Sequence, residues 1–287
     1  MFTVRSVCEF QVGRGKEVTR PMHIKQSIVI PAYNESGRLG HTLESVADYL
    51  AKERIARDEF EVIVVCDGCR DGTERIAKSF CGRLPLRVES YTCNRGKGYA
   101  VRRGVAVSLG RVVAFMDADG ATPVRELGCL SEPIIKGHAD VVVGSRRVEG
   151  ATVEDDQPVL RRLLGRAFAW HTQAVLGLRF RDTQCGFKVF DGDIARALFA
   201  GLSCDGFAFD LEVLAEARER GLRVLERGVE WHDVEGSTVH PLRDGVRMLR
   251  AAWQIRERLV SRRRVRSRGV AVGLTVTAGT LDSRIQA

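Results

Sequence analysis

The sequence lacks several features that would assign it to common protein classes. No stretch reaches ~18 uninterrupted apolar residues, which disfavours a transmembrane helix. The first 25 residues are mixed and charged, without the apolar core of a signal peptide. The dinucleotide motif Gly-x-Gly-x-x-Gly does not follow the first predicted strand, and the P-loop motif Gly-x-x-x-x-Gly-Lys-Ser/Thr is missing. These absences disfavour NAD-dependent enzymes and P-loop ATPases, and we expect a cytoplasmic protein.

The cysteines give no sign of a disulfide framework or of a zinc site. There are eight, many of them inside apolar runs, and without a signal peptide we expect reduced, mostly buried thiols. Cys66 and Cys69 have a spacing found in zinc sites, but no second close pair and no paired histidines follow. A structural zinc ion is therefore disfavoured.

The net charge of +8 resides in the C-terminal part of the chain. Residues 236–287 contain eleven arginines against three acidic residues, so the remaining residues are balanced. A neutral body argues against nucleic acid as the main ligand, and a basic tail favours an anionic partner for that segment.

Apolar runs alternate with segments of helical periodicity along most of the chain. Buried strands are predicted at 27–31, 61–66, 112–116 and 140–144, an alternating strand at 86–90, and short strands at 224–226 and 229–231. Helices are predicted from 39, 73, 160, 207 and 242, with Thr73 as a possible helix cap. A glycine- and base-rich loop is predicted at 96–104, running into a further helix, and 151–160 is also predicted to be a loop. This alternation predicts an α/β fold with a mostly parallel sheet covered by helices on both faces.

Two carboxylates follow the apolar strand that begins at Val112. Asp117 and Asp119 stand at the carboxyl end of this strand, where open α/β sheets bind their ligands. They would repel each other without a cation, and Mg²⁺ typically binds one or two carboxylates together with phosphate oxygens. The alternative is a polar turn after a strand.

An ordered set of motifs resembles the inverting family 2 glycosyltransferases, whose fold is GT-A. The set comprises Pro31-Ala32-Tyr33-Asn34-Glu35, Asp67-Gly68-Cys69-Arg70-Asp71-Gly72-Thr73, Asn94-Arg95-Gly96-Lys97-Gly98 and Asp117-Ala118-Asp119. Later segments, Gly144-Ser145-Arg146, 181–188 and 234–237, are most similar to dolichyl-phosphate β-glucosyltransferases and, somewhat less, to dolichyl-phosphate mannose synthases. The sequence departs from the family at Cys66 and Cys69, where Asp and Ser are usual.

The resemblance implies a role for each motif. Asp117 and Asp119 would bind Mg²⁺ or Mn²⁺ against the diphosphate, with Asp119 the more direct and catalytic ligand. Lys97 would neutralise phosphate, as would Arg95, unless this loop is simply a solvated basic loop. The base and ribose of a UDP-sugar, with UDP-glucose favoured, would be held by Pro31, Tyr33, Glu35 and Asp67.

The expected acceptor is a polyprenyl or dolichyl phosphate. Such a phosphate is already ionised at neutral pH and needs cations rather than a base, so Arg146 with Arg161 or Arg162 is expected to hold it. A hydroxyl acceptor on a small molecule or glycan would instead require a base, for which Asp182 and Asp210 are candidates. Both have alternative interpretations, as a turn residue and as a first-turn helix residue respectively. A third possibility is a non-catalytic nucleotide-sugar binder.

Four segments are expected along the chain: a variable extension at 1–24, the GT-A domain at 25–236, a basic amphipathic helix at 237–268 and a disordered tail at 269–287. The apolar stripe of the basic helix consists of Leu242, Val246, Leu249 and Trp253. With the arginines of 242–266 it suits an interfacial helix on an anionic membrane, peripheral on the cytoplasmic face. A helix packed on the catalytic domain, with its arginines in water, is the alternative.

Overall fold

A central sheet of seven strands organises the protein. The structure, a computed structural model, describes residues 24–154, 159–234 and 245–263, except for the side chains of 159–164 and 166. Its strands are β1 (Gln26–Ala32), β2 (Phe60–Asp67), β3 (Leu86–Tyr91), β4 (Val112–Phe115), β5 (Val141–Ser145), β6 (Thr152–Glu154), β7 (Lys188–Asp191), β8 (Val224–Gly228) and β9 (Glu230–His232). The sheet order is β3-β2-β1-β4-β7-β5-β8, and β6 pairs with β9 in a separate parallel ribbon.

Helices cover both faces of this sheet and bury an apolar layer on each. They are α1 (Leu39–Lys52), α2 (Thr73–Ser79), α3 (Lys97–Val107), α4 (Glu126–Ile135), α5 (Val159–Leu176), α6 (Gly192–Ala200), α7 (Phe209–Glu219) and a last helix, α8, at residues 245–263. Leu39, Leu43 and Val46 of α1 pack on one face, and Phe199 and Phe209 belong to the apolar cluster on the other. Among the helices described, none is both long and apolar enough to cross a bilayer.

The parallel strands bring the predicted motifs to one edge of the sheet. β1 pairs in parallel with β2 and with β4, so that Ala32 lies opposite Cys66 and Val29 lies opposite Phe115. The segments that follow these strands therefore emerge side by side. The prediction of a mostly parallel sheet between two helical layers is confirmed.

Several local predictions were incomplete or wrong. β7 was not predicted, and it runs antiparallel between β4 and β5, because only Val189 and Phe190 separate a lysine from an aspartate. Helices α4 and α6 were not predicted, and residues 152–154 form a strand rather than a loop. Helix α3 already begins at Lys97, inside the segment 96–104 that was predicted to be a loop. Thr73 is not the cap of α2 but its first residue. The expected boundaries at 236 and 268, and the tail, lie outside the described residues.

Candidate functional site

A cavity of about 540 Å³ opens at the carboxyl edge of β1, β2 and β4. Nine of the residues given a role in the site by sequence analysis line it: Pro31, Tyr33, Glu35, Asp67, Lys97, Asp117, Asp119, Arg146 and Asp210. Arg95 and Asp182 are not among its lining residues. The backbone of Arg161 and Arg162 belongs to α5, and their side chains lie outside the described set. Tertiary structure thus gathers residues from distant parts of the sequence into one cavity.

Asp67 organises one wall of the cavity. Its Oδ1 accepts a hydrogen bond from Arg95 N at 2.6 Å, and its Oδ2 accepts from Gly96 N at 2.8 Å and Asn94 Nδ2 at 3.0 Å. The loop approaches closely because residue 68 is glycine: φ there is 66°, and a Cβ would lie 2.4 Å from Asn94 N. This carboxylate therefore fixes the loop that leads into α3 while still facing the cavity.

Arg95 and Lys97, two residues apart in the same motif, have different surroundings. The Arg95 guanidinium lies 3.7 Å from the centre of the Tyr99 ring and 3.3 Å from Asp205 Oδ2. Lys97 instead points into the cavity, with Nζ 2.5 Å from Asp117 Oδ1. Lys97 is thus the member of this pair that can meet a phosphate.

Asp117 and Asp119 form an acidic pair, and Lys97 lies against the first of them. Asp117 Oδ1 is buried and receives no hydrogen bond of good geometry from the described residues, so Lys97 is its ionic partner. Asp119 Oδ1 accepts from Ala121 N at 3.1 Å. Burial and the Asp117 carboxylate raise the pKa of Asp119. Burial alone would lower the pKa of Lys97, but Asp117 and Asp210 raise it, so the ammonium stays charged.

This donor set fits a divalent cation. Within the described ranges no cluster of three or more His, Cys, Asp or Glu side chains offers a complete metal cage. Two carboxylates with phosphate and water oxygens are nevertheless a common Mg²⁺ set. The Asp117 carboxylate can take this position because residue 186 is glycine, since a Cβ there would lie 2.1 Å from Asp117 Oδ2.

Arg146 lies across the cavity and is held by Asp182. Its Nε donates to Asp182 Oδ2 at 2.7 Å and its Nη2 donates to Oδ1 at 3.0 Å, a bidentate arrangement. The guanidinium also lies 5.4 Å from the centre of the Trp231 ring. Asp182 is buried, and although burial opposes it, Arg146 holds the pKa of that carboxyl well below its usual range. Asp182 therefore positions Arg146 rather than facing the cavity.

Asp210 is buried beneath the cavity together with a lysine that sequence analysis did not single out. Lys188 Nζ lies 2.5 Å from Asp210 Oδ1 and 2.8 Å from Cys185 O. Burial raises the pKa of Asp210, while Lys188 and Lys97 oppose this effect. No signal in the sequence pointed to Lys188, because β7, the strand that it begins, was not predicted.

The entrance on the β1 side contains Tyr33, Glu35 and Arg38. Tyr33 is 39% exposed, and Glu35 accepts hydrogen bonds from Arg38 Nε at 2.7 Å and Nη2 at 2.8 Å. Glu35 N donates to Thr73 Oγ1 at 2.7 Å, which ties the β1 loop to α2. Arg38 and Trp231 line the cavity but were not predicted, because neither belongs to the quoted motifs.

Comparison with known proteins identifies the family. The model of glycosyl transferase family 2 matches residues 27–199. A dolichyl-phosphate beta-glucosyltransferase from Dictyostelium discoideum is 32% identical over 246 residues, covering 82% of this chain and 75% of that protein. The Homo sapiens protein of the same name is 35% identical over 231 residues, covering 75% of this chain and 69% of the relative.

Solved structures support the fold. Glucosyl-3-phosphoglycerate synthase from Mycobacterium tuberculosis, determined with Mn²⁺, UDP and glucosyl-3-phosphoglycerate, superposes with a TM-score of 0.60 at 21% identity, covering 81% of this chain and 80% of that one. Mannosyl-3-phosphoglycerate synthase from Rubrobacter xylanophilus gives 0.59 at 23% identity, covering 86% and 75%. The chain therefore belongs to glycosyl transferase family 2, has the GT-A fold, and is a glycosyltransferase similar to the dolichyl-phosphate beta-glucosyltransferases.

Proposed function

We propose that this protein transfers a hexose, with inversion, from a UDP-sugar to a polyprenyl or dolichyl phosphate, and that the reaction depends on Mg²⁺ or Mn²⁺. UDP-glucose is the favoured donor. The main observation behind this proposal is the acidic pair Asp117 and Asp119, which faces a cavity with base-binding candidates at one end and Arg146 at the other. The similarity to dolichyl-phosphate beta-glucosyltransferases supports both the glucosyl group and the lipid phosphate.

On the donor side, the uracil and ribose would occupy the wall formed by β1 and β2. Pro31 and Tyr33 supply apolar surface, and Asp67 and Glu35 supply hydrogen-bond acceptors. Asp67 already accepts three hydrogen bonds from the loop, and a carboxylate has about four acceptor sites, so one remains for an N–H of the base.

The diphosphate would lie against Asp117, Asp119 and Lys97. A divalent ion held by the two aspartates would stabilise the leaving diphosphate as a Lewis acid. Lys97, at the first residue of α3, places a cation and a helix N-terminus on the same side, and both favour phosphate.

On the acceptor side, the chemistry needs orientation and no proton removal. A phosphate monoester is ionised at neutral pH, since its second pKa is about 6. Arg146 would hold it in line with the sugar C1, on the face opposite the leaving group. Because Asp182 and Trp231 fix the Arg146 guanidinium, little side-chain entropy is lost on binding. Arg161 and Arg162 remain candidates for the same phosphate.

A hydroxyl acceptor has less support from this geometry. Asp182 is buried against Arg146, and Asp210 is bound by Lys188, so each proposed base already has a cationic partner. Of the two, Asp210 lines the cavity and remains the base candidate should a hydroxyl acceptor be found.

The test is transfer from radiolabelled UDP-glucose with Mg²⁺ or Mn²⁺, with the product extracted into organic solvent in the presence of polyprenyl phosphate. We expect label that requires the acceptor and disappears with EDTA. Asp119→Ala should abolish it, whereas Asp58→Ala, at an exposed aspartate outside the cavity lining, should not. Unchanged turnover in Asp119→Ala would refute the metal assignment, and label remaining in water would refute the lipid acceptor.

We also propose peripheral attachment to the cytoplasmic face of a membrane. The seven cysteines within the described ranges are all free thiols, as in a reducing compartment.

A further inference from the structure

Helix α8 has two apolar faces, and only one of them is packed. Ala252 and Ile255 are buried against the protein, and Met248, Ala251 and Leu259 pack partly against the same cluster. The other face carries the stripe predicted from the sequence, except for Leu242, which lies outside the described residues. Of its members, Val246 is 50% exposed, Trp253 is 47% exposed and Leu249 is half-buried. The helix is thus packed on the domain and still presents an apolar stripe to solvent.

Helix α5 places a further exposed tryptophan close to this stripe. Trp170 is 73% exposed, and the ring of the next residue, His171, has its centroid 6.4 Å from that of Trp253. The two helices therefore lie side by side at this point. We call Trp170, Val246, Leu249 and Trp253 the tryptophan patch. It contains three of the seven large apolar side chains that are exposed in the described ranges.

The arginines of α8 divide into two groups. Arg258, Arg262 and Arg263 form ion pairs with an acidic row on α7, consisting of Glu212, Glu216 and Glu219. These pairs anchor the helix to the domain.

Arg250 and Arg256 are also exposed, and Arg256 lies beside the tryptophan patch. The Arg256 guanidinium lies 5.5 Å from the centre of the Trp253 ring, and Glu257 is the one acidic residue of α8 near them in sequence. An exposed apolar stripe flanked by a net positive charge complements an anionic lipid surface.

The same helix reaches the catalytic cavity. Arg247 and Met248 line that cavity, and both belong to the turn of α8 that carries Val246 and Leu249. A membrane in contact with the patch would therefore lie beside the cavity entrance, as a lipid-linked acceptor requires.

We propose that the tryptophan patch inserts into the interface of an anionic bilayer, with Arg250 and Arg256 at the lipid phosphates. Tryptophan suits this position because its ring is apolar and its N–H can remain at the headgroup level. This inference rests on the proposed lipid acceptor, since a hydroxyl acceptor in water would give the patch no partner of this kind.

The experiment is flotation of the full chain with phosphatidylcholine vesicles, with and without about 30% phosphatidylglycerol. Each arginine close to an anionic surface contributes about 1 kcal/mol, which is about fivefold in affinity. We expect the wild type to float with the anionic vesicles. The variant Trp170→Ala/Trp253→Ala should bind at least tenfold more weakly. Ile135→Ala, which removes an apolar side chain that is 67% exposed on α4, should bind as the wild type does.

Two further measurements distinguish the possible failures. Transfer to polyprenyl phosphate in detergent should be the same in the double variant and the wild type, because neither tryptophan lines the cavity. If neither the wild type nor the double variant transfers the sugar, the proposed function is refuted. If both float equally well with anionic vesicles, only the membrane role of the tryptophan patch is refuted. A dimer of the wild type that the double variant no longer forms, seen by light scattering, would assign the patch to a second copy of the chain and overturn the proposal.

Discussion

Lys97 and a divalent cation are expected to compete for the same carboxylate. In the structure the ammonium is 2.5 Å from Asp117 Oδ1, the oxygen that a bound cation would also use. Replacing Lys97 with methionine removes the competing charge and keeps an unbranched apolar stem. We therefore expect Lys97→Met to bind Mn²⁺ more tightly than the wild type when no nucleotide is present.

The structure sets the size of this effect. Two opposite charges about 4 Å apart interact by about 4 kcal/mol at an effective dielectric constant of about 20. The Lys97 side chain is 19% exposed and that of Asp117 is 33% exposed, so solvent screens the pair. Screening reduces the interaction to about 1–2 kcal/mol. The dissociation constant for Mn²⁺ should then fall by about five- to thirtyfold, because about 1.4 kcal/mol corresponds to a factor of ten.

The assay is titration with Mn²⁺, followed by the electron paramagnetic resonance signal of the free ion. Arg103→Met is the matched control, because it removes one positive charge from the same helix. Arg103 is paired with Glu89 at 3.0 Å and does not line the cavity. It should leave the affinity for Mn²⁺ unchanged.

A second measurement on Lys97→Met concerns UDP, whose binding is expected to weaken rather than tighten. If Lys97 also binds the diphosphate, UDP without metal should bind Lys97→Met more weakly than the wild type, as measured by calorimetry. Weaker or unchanged Mn²⁺ binding in Lys97→Met would refute the competition between ammonium and cation. Unchanged UDP binding would refute the phosphate role alone.

Two other substitutions test how the site is held in place. Asp182→Asn should lower the free energy of unfolding by about 3 kcal/mol at pH 7, because it leaves Arg146 without its carboxylate partner. Since the folded-state pKa of Asp182 is lowered, this stabilisation is present above about pH 4 and is lost as the pH falls. Denaturant unfolding curves of the wild type and variant should therefore converge at low pH, and a constant separation would contradict this. Gly186→Ala should lower transfer and Mn²⁺ affinity by about tenfold or more, because its Cβ would displace the Asp117 carboxylate. Gly37→Ala, which has nothing within 4 Å of its Cβ, should change neither, and equal values in both variants would show that the contact at residue 186 does not position Asp117.

The sequence alone determined the parts of this protein that depend on local pattern. The buried strands of the parallel sheet are uninterrupted apolar runs, and such runs are visible without knowing their neighbours. Asp67, Asp117 and Lys97 follow strands or open a helix within short motifs, so their positions at one sheet edge followed from the rule for parallel strands.

Only the tertiary structure decided what depends on partners far away in the chain. β7 has too few apolar residues for a local signal, and Lys188 is buried there because Asp210, 22 residues later, neutralises it. Asp182 could be a base or a turn residue by sequence, and its contacts with Arg146, 36 residues earlier, indicate a positioning role.

Which face of the last helix, α8, is buried was also decided by the tertiary structure. Its periodicity predicted an apolar stripe, but a single helix contains no information about which side meets the rest of the chain. Packing of Ala252 and Ile255 against the domain left Trp253 exposed beside α5. Periodicity is a property of one segment, whereas burial is a property of two surfaces, and for that reason the structure was needed to find the tryptophan patch.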